Sequence, residues 1–319
     1  MNSIVAPVAG QDTRRNHALD LLRCVLAIAV VAIHANPLIG LGATANDLLT
    51  NGICRIAVPM FFIINGYYIA ATHRDAPTFL AWARRLLALY VFWMVVYAPF
   101  YLGPAGHSLV QTLKTLVIGY LQLWYVISLL VAGTLLYLTR KLDDSALFQL
   151  ASVLFLAGVG LQYWSFYSRL PEHFGIYRNG LFFAYPLLTL GYLMRKGFFE
   201  GLLRWRTPLL LLGLVAFTGE LVAAHAADRP GVGFDIYASL FLICPLIFDV
   251  VRRSSAPIQA PYAAKLSSVI YFAHPLGIYL VRRVLHVQYG FAIFAGALVF
   301  CAAIHAPLVA ASRRWKFLL

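Results

Sequence analysis

The stretch Leu19–His34, with the sequence LDLLRCVLAIAVVAIH, decides the fold class of this chain. It is apolar enough to span a bilayer, yet it contains Arg23 and His34. An ionisable side chain in a membrane helix costs roughly 2.5–3.5 kcal/mol on insertion scales, so it marks a candidate functional site. Eleven residues at about 100° each bring His34 to within roughly 20° of the direction of Arg23, about 16 Å further along the helix. We therefore predict one helix face with a cation near one membrane surface and an imidazole well across the membrane.

The composition of the whole chain also indicates a membrane protein. Its 319 residues are 61% hydrophobic and 12% charged, whereas soluble domains average about 45–50% apolar and 25% charged. The net charge is +13, but the basic residues form short clusters between apolar segments, which is typical of membrane topology rather than of nucleic-acid binding. The four cysteines lie in apolar segments without paired spacing, which indicates core residues and no metal site.

Apolar windows of the length of a spanning helix recur along the chain. We predict an all-α, polytopic integral membrane protein with about ten transmembrane helices, a membrane domain at 19–311, and short tails at 1–18 and 312–319. The predicted spans are 19–39, 53–72, 86–103, 119–139, 146–163, 179–194, 208–226, 235–251, 267–285 and 290–311.

The distribution of Lys and Arg between the loops predicts the orientation. With both termini on the cytoplasmic side, 17 of the 25 basic residues are cytoplasmic and 7 lie on the far side, while Arg23 is within a span. Because cytoplasmic loops carry an excess of Lys and Arg, we predict that both termini are cytoplasmic. Arg23 then lies near the cytoplasmic face, and His34 lies towards the other face.

Four local sequence blocks carry further candidate residues. In the first, Asp20 precedes Arg23 by three residues and is placed to pair with it. The other blocks are the run from Arg55 to Tyr68 (RIAVPMFFIINGYY), the pair Trp124-Tyr125, and Ile270-Tyr271-Phe272-Ala273-His274.

These blocks, in this order and at this length, resemble the polytopic membrane acyltransferases of family 3, which O-acylate bacterial surface glycans. The most specific element is the Arg-x10-His signature, matched by Arg23 and His34. The block that begins at Val58-Pro59 departs from the family pattern at one position, where Asn65 replaces the usual Ser before Gly66. Both side chains donate and accept hydrogen bonds.

The resemblance implies an enzyme of the bacterial inner (cytoplasmic) membrane. It would transfer an acyl group, most often acetyl, from acyl-CoA to a hydroxyl of an exopolysaccharide, lipopolysaccharide or related glycan. Acyl-CoA is then a donor substrate, and no permanently bound cofactor is expected. His34 would act as the base that removes the hydroxyl proton or as a covalent acyl carrier, and the sequence leaves both open. The planar guanidinium of Arg23 suits a phosphate or a thioester oxygen of the donor.

Several candidates also have a purely structural explanation. The expected substrate-binding residues are Arg55, Asn65, Trp124, Tyr125, Tyr271 and His274. Against a functional role, Arg23 can snorkel beside Asp20, His274 can stabilise the helix at Pro275, and the aromatic side chains can be packing residues. Glu220, in the middle of a predicted span, is expected to face a cavity or a partner. The alternative function from another class is a transporter or flippase of lipid-linked sugars or small solutes.

Overall fold

A computed structural model describes residues 16–70, 75–102, 108–170, 174–227, 233–254, 262–315 and 318, and this part of the chain is helical without a strand. The α-helices are α1 (His17–Ala35), α2 (Ala43–Asp47), α3 (Ala57–Ile69), α4 (Ala76–Leu102), α5 (Leu109–Ile118), α6 (Trp124–Thr139), α7 (Asp144–Tyr167), α8 (Tyr185–Lys196), α9 (Glu200–Leu203), α10 (Arg206–Ala226), α11 (Leu240–Arg253), α12 (Ala263–Tyr279) and α13 (Gly290–Arg314). Short 3₁₀ and π turns connect α2 to α3 and precede α6 and α8.

Eight helical stretches of the described chain are long and apolar enough to cross a membrane. They are His17–Ala35, Ala43–Ile69, Ala76–Leu102, Leu121–Thr139, Asp144–Tyr167, Arg206–Ala226, Ala263–Val284 and Gly290–Arg314. The predicted all-α polytopic class is thus confirmed. The predicted windows 179–194 and 235–251 contain the shorter helices α8 and α11, so the count of ten spans stays a prediction, as does the side of each terminus. Most of the predicted tail 1–18 lies outside the described residues.

Helix α1 ends one residue after His34 for a local reason. The Asn16 side chain caps its start by accepting a hydrogen bond from the Leu19 amide at 3.1 Å. At the other end, Asn36 adopts the left-handed conformation with φ 52°, a position that Asn tolerates better than most residues. The helix therefore stops short of the predicted boundary at residue 39, and His34 lies in its last turn.

Two glycines allow α3 and α8 to pack backbone against backbone. A Cβ atom on Gly66 would lie 1.9 Å from the carbonyl oxygen of Leu188, and one on Gly191 would lie 2.0 Å from that of Ile63. Small residues permit this close approach of membrane helices. Nine of the twelve residues of α8 are buried, against three of the 21 residues of α10. Helix α8 is therefore central, and α10 is peripheral.

The direction of α8 follows from its contacts with α7. Phe182, in the turn before α8, packs against Gly158, and Lys196 at the end of α8 forms an ion pair with Asp144 at the start of α7. The two helices are therefore antiparallel over about 14 residues, or about 21 Å. Such a length covers most of the roughly 30 Å hydrocarbon core of a bilayer.

Glu220 on α10 has several hydrogen-bond partners at the start of α11. Its carboxylate accepts hydrogen bonds from the amides of Ala238 at 3.0 Å and Ser239 at 3.1 Å, and from the hydroxyl of Tyr163 at 2.6 Å. The Ser239 hydroxyl also donates to it at 2.5 Å. The expectation that Glu220 meets a partner is confirmed, and this carboxylate holds the residues that lead into α11.

Candidate functional site

His34 stacks on His274, which lies on α12. The ring centroids are 5.3 Å apart with an interplanar angle of 22°. Because Pro275 has no N–H, the carbonyl of Tyr271 lacks its helical donor, and Nδ1 of His274 donates to that oxygen at 2.8 Å. His274 therefore stabilises the helix at Pro275, as the structural alternative predicted. Its Nε2 is buried and has no hydrogen-bond partner among the described residues.

The His34 side chain is exposed to a cavity of about 190 Å³. This volume is many times the roughly 10–15 Å³ that a cavity needs to hold one water. The cavity is lined by Val30, Ile33, His34, Arg55, Val58, Pro59, Leu121, Gln122, Trp124, Arg178, Phe183, Asp235 and Tyr271. Four of the predicted site residues are in this set, namely His34, Arg55, Trp124 and Tyr271. His274 does not line the cavity but stacks on His34.

Two arginines share one carboxylate at the wall of this cavity. Asp235 has an almost fully buried side chain that forms ion pairs with Arg55 and, at 3.1 Å, with Arg178. Arg55 also hydrogen-bonds to Asn51. Arg55, Arg178 and Asp235 line the same cavity as His34. Arg55 is thus part of a buried charge cluster.

Gln162 on α7 holds Asp235 in place. Its Oε1 accepts hydrogen bonds from the amides of Asp235 at 3.0 Å and Ile236 at 2.9 Å, and its Nε2 donates to the carbonyl of Ile236 at 2.9 Å. These bonds satisfy the backbone of the extended segment before α11. Sequence analysis missed Gln162, Asp235 and Arg178 as site residues. The available signal was that Asp235 and Arg178 each stand at the edge of a predicted span.

Aromatic rings fix the position of Arg178. Its guanidinium lies 4.8 Å from the ring centre of Trp124 and 4.7 Å from that of Phe174. Such cation–π contacts hold a guanidinium by its flat faces and leave its N–H edge for hydrogen bonds. Trp124, predicted as a substrate-binding residue, therefore positions a cation at the cavity.

Asn65 and Tyr125 lie next to the cavity but do not line it. Asn65 donates to the Phe61 carbonyl at 2.8 Å and to the Tyr125 hydroxyl at 2.9 Å. The ring of Tyr125 contacts that of Tyr271 at 5.3 Å between centroids, and the Tyr271 hydroxyl donates to the carbonyl of Gln122 at 3.1 Å. The residue that replaces the usual Ser thus keeps a hydrogen-bonding role.

Arg23 lies at the other end of α1, outside the lining of the cavity. Its Nη1 is 3.3 Å from Asp20, which confirms the predicted pair, and its guanidinium lies 5.0 Å from the ring centre of Tyr68. Tyr68 is ten residues beyond Val58, so α3 reaches from the His34 end to the Arg23 end. Asn65 lies between Val58 and Tyr68 on this helix. The aromatic rings of Phe61, Tyr125 and Tyr271 form a layer at the same level, between the His34 end and the Arg23 end.

Further basic groups gather at the Arg23 end. Arg195 donates to the Tyr67 hydroxyl at 3.0 Å, and the guanidinium of Arg252 lies 6.0 Å from the Tyr67 ring centre. Glu200 on α9 partly neutralises this surface. The hydrogen bond from Arg253 lowers the pKa of the Glu200 carboxyl below its usual value, so the carboxylate stays charged at neutral pH.

No group of three or more His, Cys, Asp or Glu side chains in the described part of the chain could hold a metal ion. The chemistry that the cavity offers is that of an imidazole, two guanidiniums, a carboxylate and aromatic faces. Such a set suits proton transfer and the binding of a polar ligand.

Comparison with known proteins gives both a family and several relatives. Residues 16–310 match the model of acyltransferase family 3, described as an acyltransferase domain. A serine/alanine racemase of Enterococcus gallinarum is 30% identical over 290 residues, which cover 82% of this chain and 40% of that protein. An amino-acid racemase of Enterococcus faecalis is 29% identical over 192 residues, covering 54% of this chain and 27% of that protein.

A second amino-acid racemase of Enterococcus faecalis is 24% identical over 299 residues, which cover 85% of this chain and 42% of that protein. The chain therefore spans less than half the length of the curated relatives it matches. No solved structure matches it. Because the family model covers most of the 319 residues, the chain belongs to acyltransferase family 3.

Proposed function

We propose that this protein is a membrane O-acyltransferase that moves an acyl group, most often acetyl, from acyl-CoA to a hydroxyl of a glycan. The observation that carries the proposal is the position of His34, an imidazole at a polar cavity inside a helical membrane bundle. Neutral imidazole is the common base for removing a hydroxyl proton near pH 7. The family model supports the reaction class.

In the proposed reaction, His34 removes the proton of the acceptor hydroxyl while the hydroxyl oxygen attacks the thioester carbonyl carbon of the donor. The tetrahedral adduct collapses, the C–S bond breaks, and the imidazolium returns the proton to the leaving coenzyme A thiolate. His274 is a positioning residue in this scheme. Its ring, fixed by the hydrogen bond to the Tyr271 carbonyl, supports the face of His34.

The acyl donor would bind from the Arg23 end. Arg23 and Arg195 place guanidiniums beside Tyr68 and Tyr67, and arginine forks suit the phosphates of coenzyme A. The thioester arm then has to pass the layer of Phe61, Tyr125 and Tyr271 to reach His34. On this route the Arg23 end faces the cytoplasm, in agreement with the charge distribution of the loops. The protein would then lie in the bacterial inner membrane.

Racemase activity is not proposed for this chain, because more than half of each Enterococcus racemase lies outside the matched region. A transporter or flippase of lipid-linked sugars or small solutes is the alternative from another class. It differs from an acyltransferase in leaving the thioester intact.

The direct test uses the purified protein in nanodiscs, acetyl-CoA and a lipid-linked sugar acceptor. We expect acceptor-dependent release of free thiol, and a loss of about 100- to 10,000-fold in kcat for His34→Gln, which keeps hydrogen bonding but is not a base. His225→Gln is the matched control, because His225 is exposed and pairs only with Asp47 at 3.4 Å among the described residues.

Near-normal turnover of His34→Gln would leave His34 a structural role. Solute movement without thiol release would favour the transporter. Incubation with labelled acetyl-CoA and no acceptor separates the two roles of His34. Label that is retained on the wild-type protein and absent from His34→Gln would make His34 an acyl carrier, whereas a general base leaves the protein unlabelled.

A further inference from the structure

The charged groups at the His34 cavity are not balanced. Two guanidiniums, from Arg55 and Arg178, face one carboxylate, from Asp235. Neutral His34 adds no charge. Asp47 lies beyond Asn51 and pairs with His225 rather than with these arginines. The cavity wall therefore carries one positive charge in excess, in surroundings where charges are poorly screened by water.

The two arginines differ in how much of each guanidinium is already hydrogen-bonded. Arg55 is mostly buried and uses both terminal nitrogens, one on Asp235 and the other on Asn51. Arg178 is more exposed and commits only Nη1, at 3.1 Å from Asp235. Within the described ranges, no other hydrogen-bond acceptor contacts its guanidinium. Its N–H edge is therefore available to a ligand.

From this arrangement we infer that the acceptor is anionic, and that a carboxylate or phosphate on it binds Arg178 while its hydroxyl lies at His34. The inference rests on the proposed function and names the class of acceptor. Trp124 contributes by holding the guanidinium from one face, and a planar aromatic ring at the cavity also suits stacking on a sugar. Asp235 keeps both arginines in place, and the net positive charge of the three groups disfavours a cationic ligand.

The test compares three soluble acceptors that differ only at carbon 6 of the sugar. Octyl β-glucuronide carries a carboxylate there, octyl 6-phosphoglucoside carries a phosphate, and octyl 6-deoxyglucoside is neutral. All three keep the same ring hydroxyls at positions 2, 3 and 4. We expect at least one anionic acceptor to have a KM about tenfold or more below that of the neutral one, because a hydrogen bond to a charged group contributes a factor of this size. The better of the two anions identifies the substituent.

Arg178→Gln is expected to abolish this preference, and Arg178→Lys is expected to keep part of it, since Lys retains the charge but not the planar fork. Arg169→Gln is the matched control, because Arg169 is exposed and its side chain hydrogen-bonds only to the Ala227 carbonyl, at 3.5 Å, among the described residues. Thermal unfolding of each variant in detergent identifies any that fail to fold, and Arg178→Lys then carries the comparison.

Binding of the same three compounds without acyl-CoA, followed by Trp fluorescence, separates the inference from the proposed function. Equal KM values for all three acceptors would overturn the inference while acyl transfer stands. Arg178-dependent binding of an anion without any acyl transfer would overturn the proposed function and keep the anion site. A preference for anions that survives in Arg178→Gln would also overturn the inference.

Discussion

At the His34 end of α1, Arg55 and Arg178 share the buried carboxylate of Asp235, whereas at the Arg23 end Arg23 pairs with Asp20 one helical turn away. The first cluster joins segments 180 residues apart in the chain, and the second lies within one helix. Both contain an arginine, but only the first depends on tertiary packing. An arginine in a membrane helix therefore has to be interpreted from the groups with which it pairs rather than from its position across the membrane.

A topology experiment can establish whether the Arg23 end or the His34 end faces the cytoplasm. A topology reporter after Leu319, or inserted at Gly201 in the short helix α9, should be active only in the cytoplasm, and one between α4 and α5 only outside. Gly201 has no neighbouring atom near its Cβ position, so an insertion there disturbs little. A reporter at Gly201 that is active outside would mean that α8 does not span, and the ten-span prediction would be wrong.

Asp235→Asn should break the cluster at the His34 end. Removing one partner of a buried ion pair leaves uncompensated charge, which costs about 3–5 kcal/mol. We therefore expect the free energy of unfolding in detergent to fall by an amount of this order. Asp144→Asn is the control, because the ion pair of Asp144 with Lys196 is partly exposed and such pairs contribute about 0–1 kcal/mol. Equal losses for the two variants would show that burial does not distinguish the pairs.

Gly66→Ala should disturb the connection between the two ends. The new Cβ would collide with the backbone carbonyl of Leu188, and overpacking of this kind costs typically 1–3 kcal/mol, occasionally more. Because Gly66 follows Asn65, we expect lower acyl transfer as well as a lower unfolding temperature. Gly219→Ala, where the Cβ position is open, should change neither, and an unaffected Gly66→Ala would refute the close α3–α8 contact.

Arg23→Lys has the smallest expected effect. If Arg23 binds the donor with its planar fork, Lys loses bidentate geometry and the KM for acyl-CoA should rise about tenfold, with the KM for the acceptor little changed. Arg206→Lys is the control, since the Arg206 side chain is about half-exposed and lies 3.9 Å from Asp249. An unchanged KM for acyl-CoA would support snorkelling, and a higher KM for the acceptor alone would assign Arg23 to the sugar site.

Features that depend on composition and on neighbours along one helix could be predicted from the sequence. Apolar windows predicted an all-α membrane protein, which the helices confirm. Spacing along α1 predicted the pair of Asp20 with Arg23, and Pro275 indicated the structural alternative for His274, whose ring does bond to its own helix. These interactions form within one or two helical turns, where 3.6-residue periodicity fixes which side chains meet.

The residues that surround His34 could not be predicted from the sequence, because they come from several different segments of the chain. Periodicity placed Arg23 and His34 on one face of α1, but the nearest cations in the cavity are Arg55 and Arg178, and an aromatic layer lies between the two ends. Asp235, which joins these arginines, is held by Gln162 from α7, 73 residues earlier. Such contacts arise where several helices and their connecting segments pack together. The hydropathy pattern along the sequence does not show which helix ends become neighbours in the folded protein.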